Sequence, residues 1–245
     1  MMRIILKIQR FNPETDSTPA NKSYEVDVKP TDRILDALMR VKRFQDGTLA
    51  FRKSCAHGVC GSDAMLINGT ERLACKTLVQ DVAQEDGATI TIKPLKGFRI
   101  ERDLIVDQAE FFAKYQSAKP FLINEDPVEE KERLQSPEER KKFDDATNCI
   151  LCCACFSACP QMEADPAFLG PAIIAQASRF LDDSRDAGFE ERLPVLDRPD
   201  GVWFCANHFE CTRVCPREIK VTKLINQTKR RIKNYRESRG ERVND

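Results

Sequence analysis

The sequence predicts an α+β fold in two parts, a compact mixed domain over residues 1–103 and a mainly α-helical domain over residues 137–245, joined by a helix and linker over residues 104–136. Three observations predict it. Strand-like alternation and one amphipathic helix are confined to the first part. The second carries helix starts and apolar stripes at helical spacing. Each part also has its own set of cysteines, spaced in its own way.

Residues 3–9 alternate apolar and polar as a half-buried strand does, and Tyr24–Val28 offers a second strand. Thr31 and Asp32 are candidate caps for a helix whose Ile34, Leu35, Leu38 and Val41 fall on one face. A cysteine-bearing loop follows, then an Asp86-Gly87 turn and the strand-like TITIKPL. Leu104–Tyr115 reads as a helix turning Ile105, Ala109 and Phe112 inward, with Phe111 beside them. The stretch SAKPFLINEDPVEEKERLQ is polar, holds two prolines and has no period, and reads as the interdomain connection. Ser136-Pro137-Glu138-Glu139 is a helix start with Ser at the cap and Pro at the first position. Gly170–Leu181 has an apolar face of Ile173, Ile174, Ala177 and Leu181, and Pro216 opens a last helix toward Tyr235.

Composition narrows the function. Across 245 residues, 39 basic groups balance 39 acidic ones, so no net charge draws the chain to nucleic acid or a membrane surface. No apolar run approaches the length of a membrane span, and MMRIILKIQR lacks a signal-peptide cleavage region. Eleven cysteines, an odd number in a chain this long, fit metal ligation in a reducing compartment better than a disulfide framework.

The strongest motif is CILCCACFSACP, in which Cys149, Cys152, Cys155 and Cys159 have the spacing C-x2-C-x2-C-x3-C and Pro160 follows. Three thiolates so close together wrap three corners of an iron–sulfur cube. The fourth ligates a second cluster in bacterial-type ferredoxins, so the motif asks for a partner segment. That segment is Cys205, Cys211, Cys215 and Pro216, with His208 where the repeat would have a cysteine. Reciprocity then gives Cys149, Cys152, Cys155 and Cys215 to a 4Fe–4S cluster. Cys159, Cys205 and Cys211 remain for a second cluster, and three ligands suit 3Fe–4S. Cys153 fits neither set and reads as a packing residue.

In the first domain, Cys55-x4-Cys60-x2-Asp63 with Cys75 further on matches the plant-type 2Fe–2S ferredoxin spacing, except that Asp63 occupies the third position. Gly58 and Gly61 let the backbone bend close to a cluster and aim N–H groups at it. A zinc site of three cysteines and Asp63 is an alternative, as is Asp63 being an ordinary loop carboxylate; ligation is favoured because three ligands alone leave a 2Fe–2S cluster incomplete. His57 reads as an exposed polar residue. From Arg217 to Arg242 ten basic residues face three acidic ones, Glu218, Glu237 and Glu241. A solvated helix face is the ordinary meaning, contact with a partner or anionic lipid the other.

Together SCAHGVCGSDAM, CILCCACFSACP, FLGPA, RFLDDSRD and the C-x5-C-x3-C-P end resemble the iron–sulfur subunit of succinate dehydrogenase and fumarate reductase, the complex II family, over nearly the whole chain. The resemblance implies a β-grasp-like plant-type ferredoxin domain followed by a helical bacterial-type one. It implies electrons passing from an FAD-containing flavoprotein subunit through 2Fe–2S, 4Fe–4S and 3Fe–4S clusters to a membrane quinone, with no acid–base catalytic residue in this chain. It further implies one or more cytochrome b-type membrane-anchor subunits and a peripheral position on the cytoplasmic face of a bacterial inner membrane. Asp at the third 2Fe–2S position is a variant within the family.

Family members often carry Trp shortly after the first C-P, at a quinone site; here Gln161, Met162, Glu163 and Ala164 follow Pro160, and the only Trp is Trp203. That leaves quinone type and direction open. Pro160 and His208 are the quinone-site candidates. His208 has three readings, an iron ligand, a quinone-pocket residue that hydrogen-bonds or passes a proton, and a packing residue; the family makes this slot non-ligating. A quinol- or thiol-linked fumarate reductase subunit is the alternative function, and a free-standing carrier another.

Overall fold

A computed structural model describes residues 1–128 and 131–240. Glu129 and Glu130 of the expected linker, and Glu241 and Arg242 of the basic tail, lie outside the described residues. The chain divides into two compact units. One is Met1–Gln108 together with Ile150–Ala158; the other is Ala109–Cys149 together with the chain from Cys159 onward.

The first unit is built on a five-stranded mixed sheet of β1 (Met2–Arg10), β2 (Ala20–Val28), β3 (Ala64–Ile67), β4 (Thr70–Leu73) and β5 (Thr89–Lys93), with α1 (Ile34–Phe44) between β2 and β3 in sequence. The order is β2-β1-β5-β3-β4; β1 and β5 run parallel and the other neighbours antiparallel. Alternation puts Ile4, Leu6 and Ile8 of β1 into the core, where Ile34, Leu35, Ala37, Leu38 and Val41 of α1 are also buried. The expected cap is corrected. Arg33 occupies the cap position and Asp36 accepts its N–H at 3.0 Å, while Asp32 turns to the Lys29 N–H and the Arg40 guanidinium.

The expected cysteine loop contains a hairpin. β3 and β4 are joined through Asn68 and Gly69, both at positive φ, the geometry of a tight two-residue turn. Residues 104–106 are not helical either. Ile100–Arg102 (β6) and Ile105–Val106 (β7) form a small hairpin around Asp103, whose buried carboxylate accepts N–H groups of Phe11 and Ala50 at 2.9 and 2.7 Å. The helix starts later, as α2 (Ala109–Ser117). It buries Phe111 and leaves Phe112 and Ala109 exposed, the reverse of the expected inward face.

The remaining helices are α3 (Pro137–Arg140), α4 (Asp144–Thr147), α5 (Ala154–Ser157), α6 (Pro160–Ala164), α7 (Pro171–Leu181), α8 (Phe189–Leu196), α9 (Glu210–Arg213) and α10 (Val221–Ser238). Ser136 caps α3 as expected, with a reciprocal Glu139 contact. α7 is buried at every residue except Arg179, which explains its near-continuous apolar run. The last helix begins at Val221 rather than Pro216, because Glu218 adopts φ +60° and the chain turns there instead. The expected linker is anchored near its start but exposed over much of its described length, including Phe121, Leu122, residues 125–128, Lys131, Glu132 and Leu134. Arg192, fully buried, pairs with Asp186 at 2.7 Å and donates to the carbonyls of Lys119 and Phe121, while Asp186 accepts the Ile123 N–H. Among the described residues no helix is long and apolar enough to cross a membrane.

Within the first unit, α5 returns to the edge strand β4. Ser157 donates to the buried Glu71 carboxylate at 2.9 Å and accepts the Lys96 N–H at 2.8 Å, and the Phe98 and Phe156 rings stack 5.2 Å apart. Replacing Ser157 by Ala strands both partners. Ser157→Ala should lower unfolding stability by about 1–3 kcal/mol in urea titration, with Ser157→Thr closer to wild type.

Candidate iron–sulfur sites

The Cys55–Asp63 loop is shaped by residues in the left-handed region, Ala56 (φ 58°), Gly58 (φ 81°) and Gly61 (φ 70°). That curl aims the N–H groups of His57, Val59 and Cys60 at the Cys55 sulfur, at 3.5, 3.4 and 3.3 Å. Amides on one sulfur stabilise a thiolate, and the Cys55 thiol is pulled down to about 6, chiefly by the His57 and Val59 N–H groups. Cys60 sits 3.2 Å from the Ser62 hydroxyl. His57 is exposed, its Nδ1 against the Cys55 carbonyl at 2.6 Å.

Asp63 leads into β3, and Cys75 follows β4, so the hairpin brings them together. One Asp63 oxygen accepts the Cys75 N–H at 2.6 Å; the other lies 3.4 Å from the Cys75 sulfur. Both residues are buried, and burial followed by the Asp63 carboxylate pushes the Cys75 thiol up to about 12. Among the described residues no Lys or Arg pairs with Asp63. A buried carboxylate facing a buried thiol with no basic side chain between them is a donor set that suits a shared iron.

Gly61 is a point of close approach. A Cβ there would stand 2.7 Å from the Cys152 Cβ and 2.9 Å from the Ile150 carbonyl. The first cysteine loop therefore rests directly on the Ile150–Ala158 segment of the same unit. Leu151 and Cys153, at φ 52° and 65°, curl that segment into α5. Cys152 is buried and Cys155 partly so; Cys153 is buried with its sulfur 3.3 Å from the Gln108 amide nitrogen, as a packing residue would be. In the second unit Cys149 follows α4 and Cys215 precedes the Glu218 turn. The Tyr115 phenol is raised by burial and then by the Cys149 charge.

Cys159, Cys205 and Cys211 line one cavity of the second unit, enclosing about 310 Å³ with open solvent included. Pro160, Gln161, His208 and Thr222 share its wall. Cys159 caps α6, and Pro160 occupies the first helical position. Burial raises the Cys159 and Cys211 thiols above their ordinary value, and Cys211 lies 3.3 Å from the Thr222 hydroxyl. Lys229 donates to the Cys205 carbonyl at 2.7 Å. Gln161 donates through its amide nitrogen to the Phe204 carbonyl, leaving its oxygen 3.4 Å from His208 Nε2. Trp203 is outside this wall, where its indole N–H bonds Asp197 and Arg236 stacks on the ring. Gln161 and Thr222 were not singled out from the sequence; Gln161 was reachable as the second residue after Cys159, whereas nothing local marks Thr222.

Two cysteine-lined ferredoxin-type sites on an α+β frame define an iron–sulfur electron carrier. Residues 5–113 match a 2Fe-2S iron-sulfur cluster binding domain, and residues 141–216 a 4Fe-4S dicluster domain. The chain is 41% identical over 233 residues to the succinate dehydrogenase iron-sulfur subunit of Coxiella burnetii, covering 94% of this chain and 97% of that one. It is 41% identical over 231 residues to the fumarate reductase iron-sulfur subunit of Mycobacterium tuberculosis, covering 94% and 92%. A chain of the Mycobacterium smegmatis Sdh1 complex in the apo form superposes with a TM-score of 0.83 at 25% identity, covering 96% and 97%. The protein belongs to the family of succinate dehydrogenase and fumarate reductase iron–sulfur subunits, the electron-transfer subunits of those oxidoreductases.

The contact at Gly61 makes a prediction. Gly61→Ala combines a left-handed backbone with a clash against Cys152 and should sharply lower the iron and acid-labile sulfide content of the purified protein. Gly69→Ala, also at positive φ but in open space, should keep its iron and cost only about 1–2 kcal/mol of backbone strain.

Proposed function

We propose that the chain is the electron-transfer subunit of a succinate:quinone oxidoreductase. In this reading Cys55, Cys60, Asp63 and Cys75 hold a 2Fe–2S cluster, Cys149, Cys152, Cys155 and Cys215 a 4Fe–4S cluster, and Cys159, Cys205 and Cys211 a 3Fe–4S cluster. The observation that carries it is the cavity walled by Cys159, Cys205 and Cys211, three sulfurs with His208 Nε2 engaged by Gln161. When bound, the clusters would carry single electrons from the flavin of a partner subunit to a quinone. The chain's own residues set the conditions. The Cys55 loop supplies N–H groups to sulfur, Asp63 supplies a carboxylate in place of a fourth thiolate, and burial excludes water from Cys75 and Cys211.

Pro160 and His208 line the same cavity, and in this reading they border the quinone, with the His208 Nε2–H directed at the Gln161 oxygen. The partners in this reading are an FAD-containing flavoprotein, facing the domain over residues 1–103, and a membrane anchor facing that over residues 137–245. The anchor would hold the chain at the cytoplasmic face of a bacterial inner membrane. The fumarate reductase reading is favoured by the relative of that name in Mycobacterium tuberculosis, and its electrons would run in reverse.

The test is the air-oxidised complex, purified with its flavoprotein. A sharp, near-isotropic EPR signal of oxidised 3Fe–4S, lost on adding succinate and recovered on adding quinone, is expected. Full iron content without that signal, with a fourth iron bound at His208, would overturn the assignment. Faster fumarate reduction by quinol than succinate oxidation would select the second reading.

Asp63 gives a separate prediction. Asp63→Cys should retain a 2Fe–2S cluster, and Asp63→Ala should lose it, read by the EPR of the dithionite-reduced protein. Retention in Asp63→Ala would remove the carboxylate from the ligand set.

A further inference from the structure

The first turn of α1 is fastened to the whole 2Fe–2S candidate loop. The Ile34 and Leu35 N–H groups donate to the carbonyls of Thr77 and Ala74, on either side of Cys75, at 2.9 and 3.0 Å. Arg33, whose own N–H is held by Asp36, extends its guanidinium across to the other half of the loop and donates to the Ala56 carbonyl at 2.8 Å. That carbonyl belongs to the peptide unit whose nitrogen is His57 N. The same peptide therefore accepts a cationic hydrogen bond on its oxygen and donates from its nitrogen to the Cys55 sulfur.

A hydrogen bond to a carbonyl polarises its peptide and strengthens the N–H as a donor, most of all when the donor is charged. A stronger N–H···S bond stabilises the more electron-rich sulfur of the reduced state, and an adjacent positive charge acts in the same direction. Ala56 also sits at φ +58°, a geometry that a non-glycine residue keeps only when neighbours hold it. The Arg33 contact is one such hold. Arg33 is exposed, so its role is not explained by core packing.

We propose that Arg33 is a positioning residue that raises the reduction potential of the 2Fe–2S cluster through the Ala56–His57 peptide. The inference rests on Cys55 being a cluster ligand. One electron enters on reduction and no proton is required, so the effect is read directly as a midpoint shift. The experiment is an EPR-monitored redox titration of the purified complex carrying Arg33→Gln, with Lys7→Gln as a control that removes the same charge from an exposed position on β1. The expected result for Arg33→Gln is an approximately tenfold weaker one-electron reduction, a fall of about 59 mV in the 2Fe–2S midpoint. The other cluster potentials and the Lys7→Gln midpoint should remain at wild-type values.

A 2Fe–2S midpoint equal to wild type, or an equal fall in every cluster, overturns the proposal. If Arg33→Gln assembles without the cluster, Arg33→Lys decides. A midpoint below wild type supports the peptide contact, since Lys keeps the charge without the guanidinium's reach and geometry; an unchanged midpoint overturns it. Absence of a 2Fe–2S signal from the wild-type complex would instead reject the ligand assignment, which separates the two failures.

Discussion

A buried carboxylate on an edge strand governs much of this structure. Glu71 lies on β4, the last strand of the sheet, where an exposed edge would invite pairing with another chain. Ser157 satisfies it and is satisfied in turn by Lys96, so α5 covers the edge. The same docking sets Cys152 against Gly61. A ferredoxin-type motif that reads as continuous in sequence is thereby divided, with Ile150–Ala158 in the unit of the first cysteine loop and Cys149 and Cys159 in the other. Within the first unit the two cysteine segments thus meet at Gly61, where only a residue without a Cβ fits against Cys152 and the Ile150 carbonyl.

The cysteines differ in what surrounds them. Cys55 stands among amide donors and is drawn toward the thiolate. Cys75, Cys159 and Cys211 are held toward the protonated form by burial, and Cys75 by a neighbouring carboxylate as well. Metal binding requires thiolates, so an iron bound at the buried positions, as proposed above, would displace protons, and the free energy of assembly would then also be folding free energy. Cys55, with its amide donors, would give up its proton more readily than Cys75, Cys159 or Cys211.

Much of the architecture was legible. The cysteine spacings, the strands β1, β2 and β5, the α1 stripe and the Ser136 cap all follow from local pattern. The β3–β4 hairpin was not legible, although Asn68-Gly69 is a turn signal, because its strands are four residues each and β3, AMLI, shows no alternation. Leu104–Val106 had helical periodicity, but Asp103 gains two buried amides by turning, and that tertiary gain outweighs propensity. The linker's exposure follows from its polar composition, but its anchors, Arg192 and Asp186, were not legible because they lie far along the chain. Of the candidate sites, the cysteine spacings were readable and the surrounding wall was not. Gln161 is engaged through Phe204 and Thr222 through Cys211, contacts that only folding creates.

The Glu71–Ser157 contact spans 86 positions of sequence. During synthesis at about 5–20 residues per second, the ribosome needs roughly 4–17 s after Glu71 to produce its partner, and longer to release it from the exit tunnel. For that interval the sheet has an uncovered edge and a carboxylate without its hydroxyl. The N-terminal unit is therefore completed late, by a piece of chain made after the whole of the second unit's first segment. Nascent chains arrested before residue 158 would carry this open edge, and a chaperone that shields β4 has a defined window in which to act.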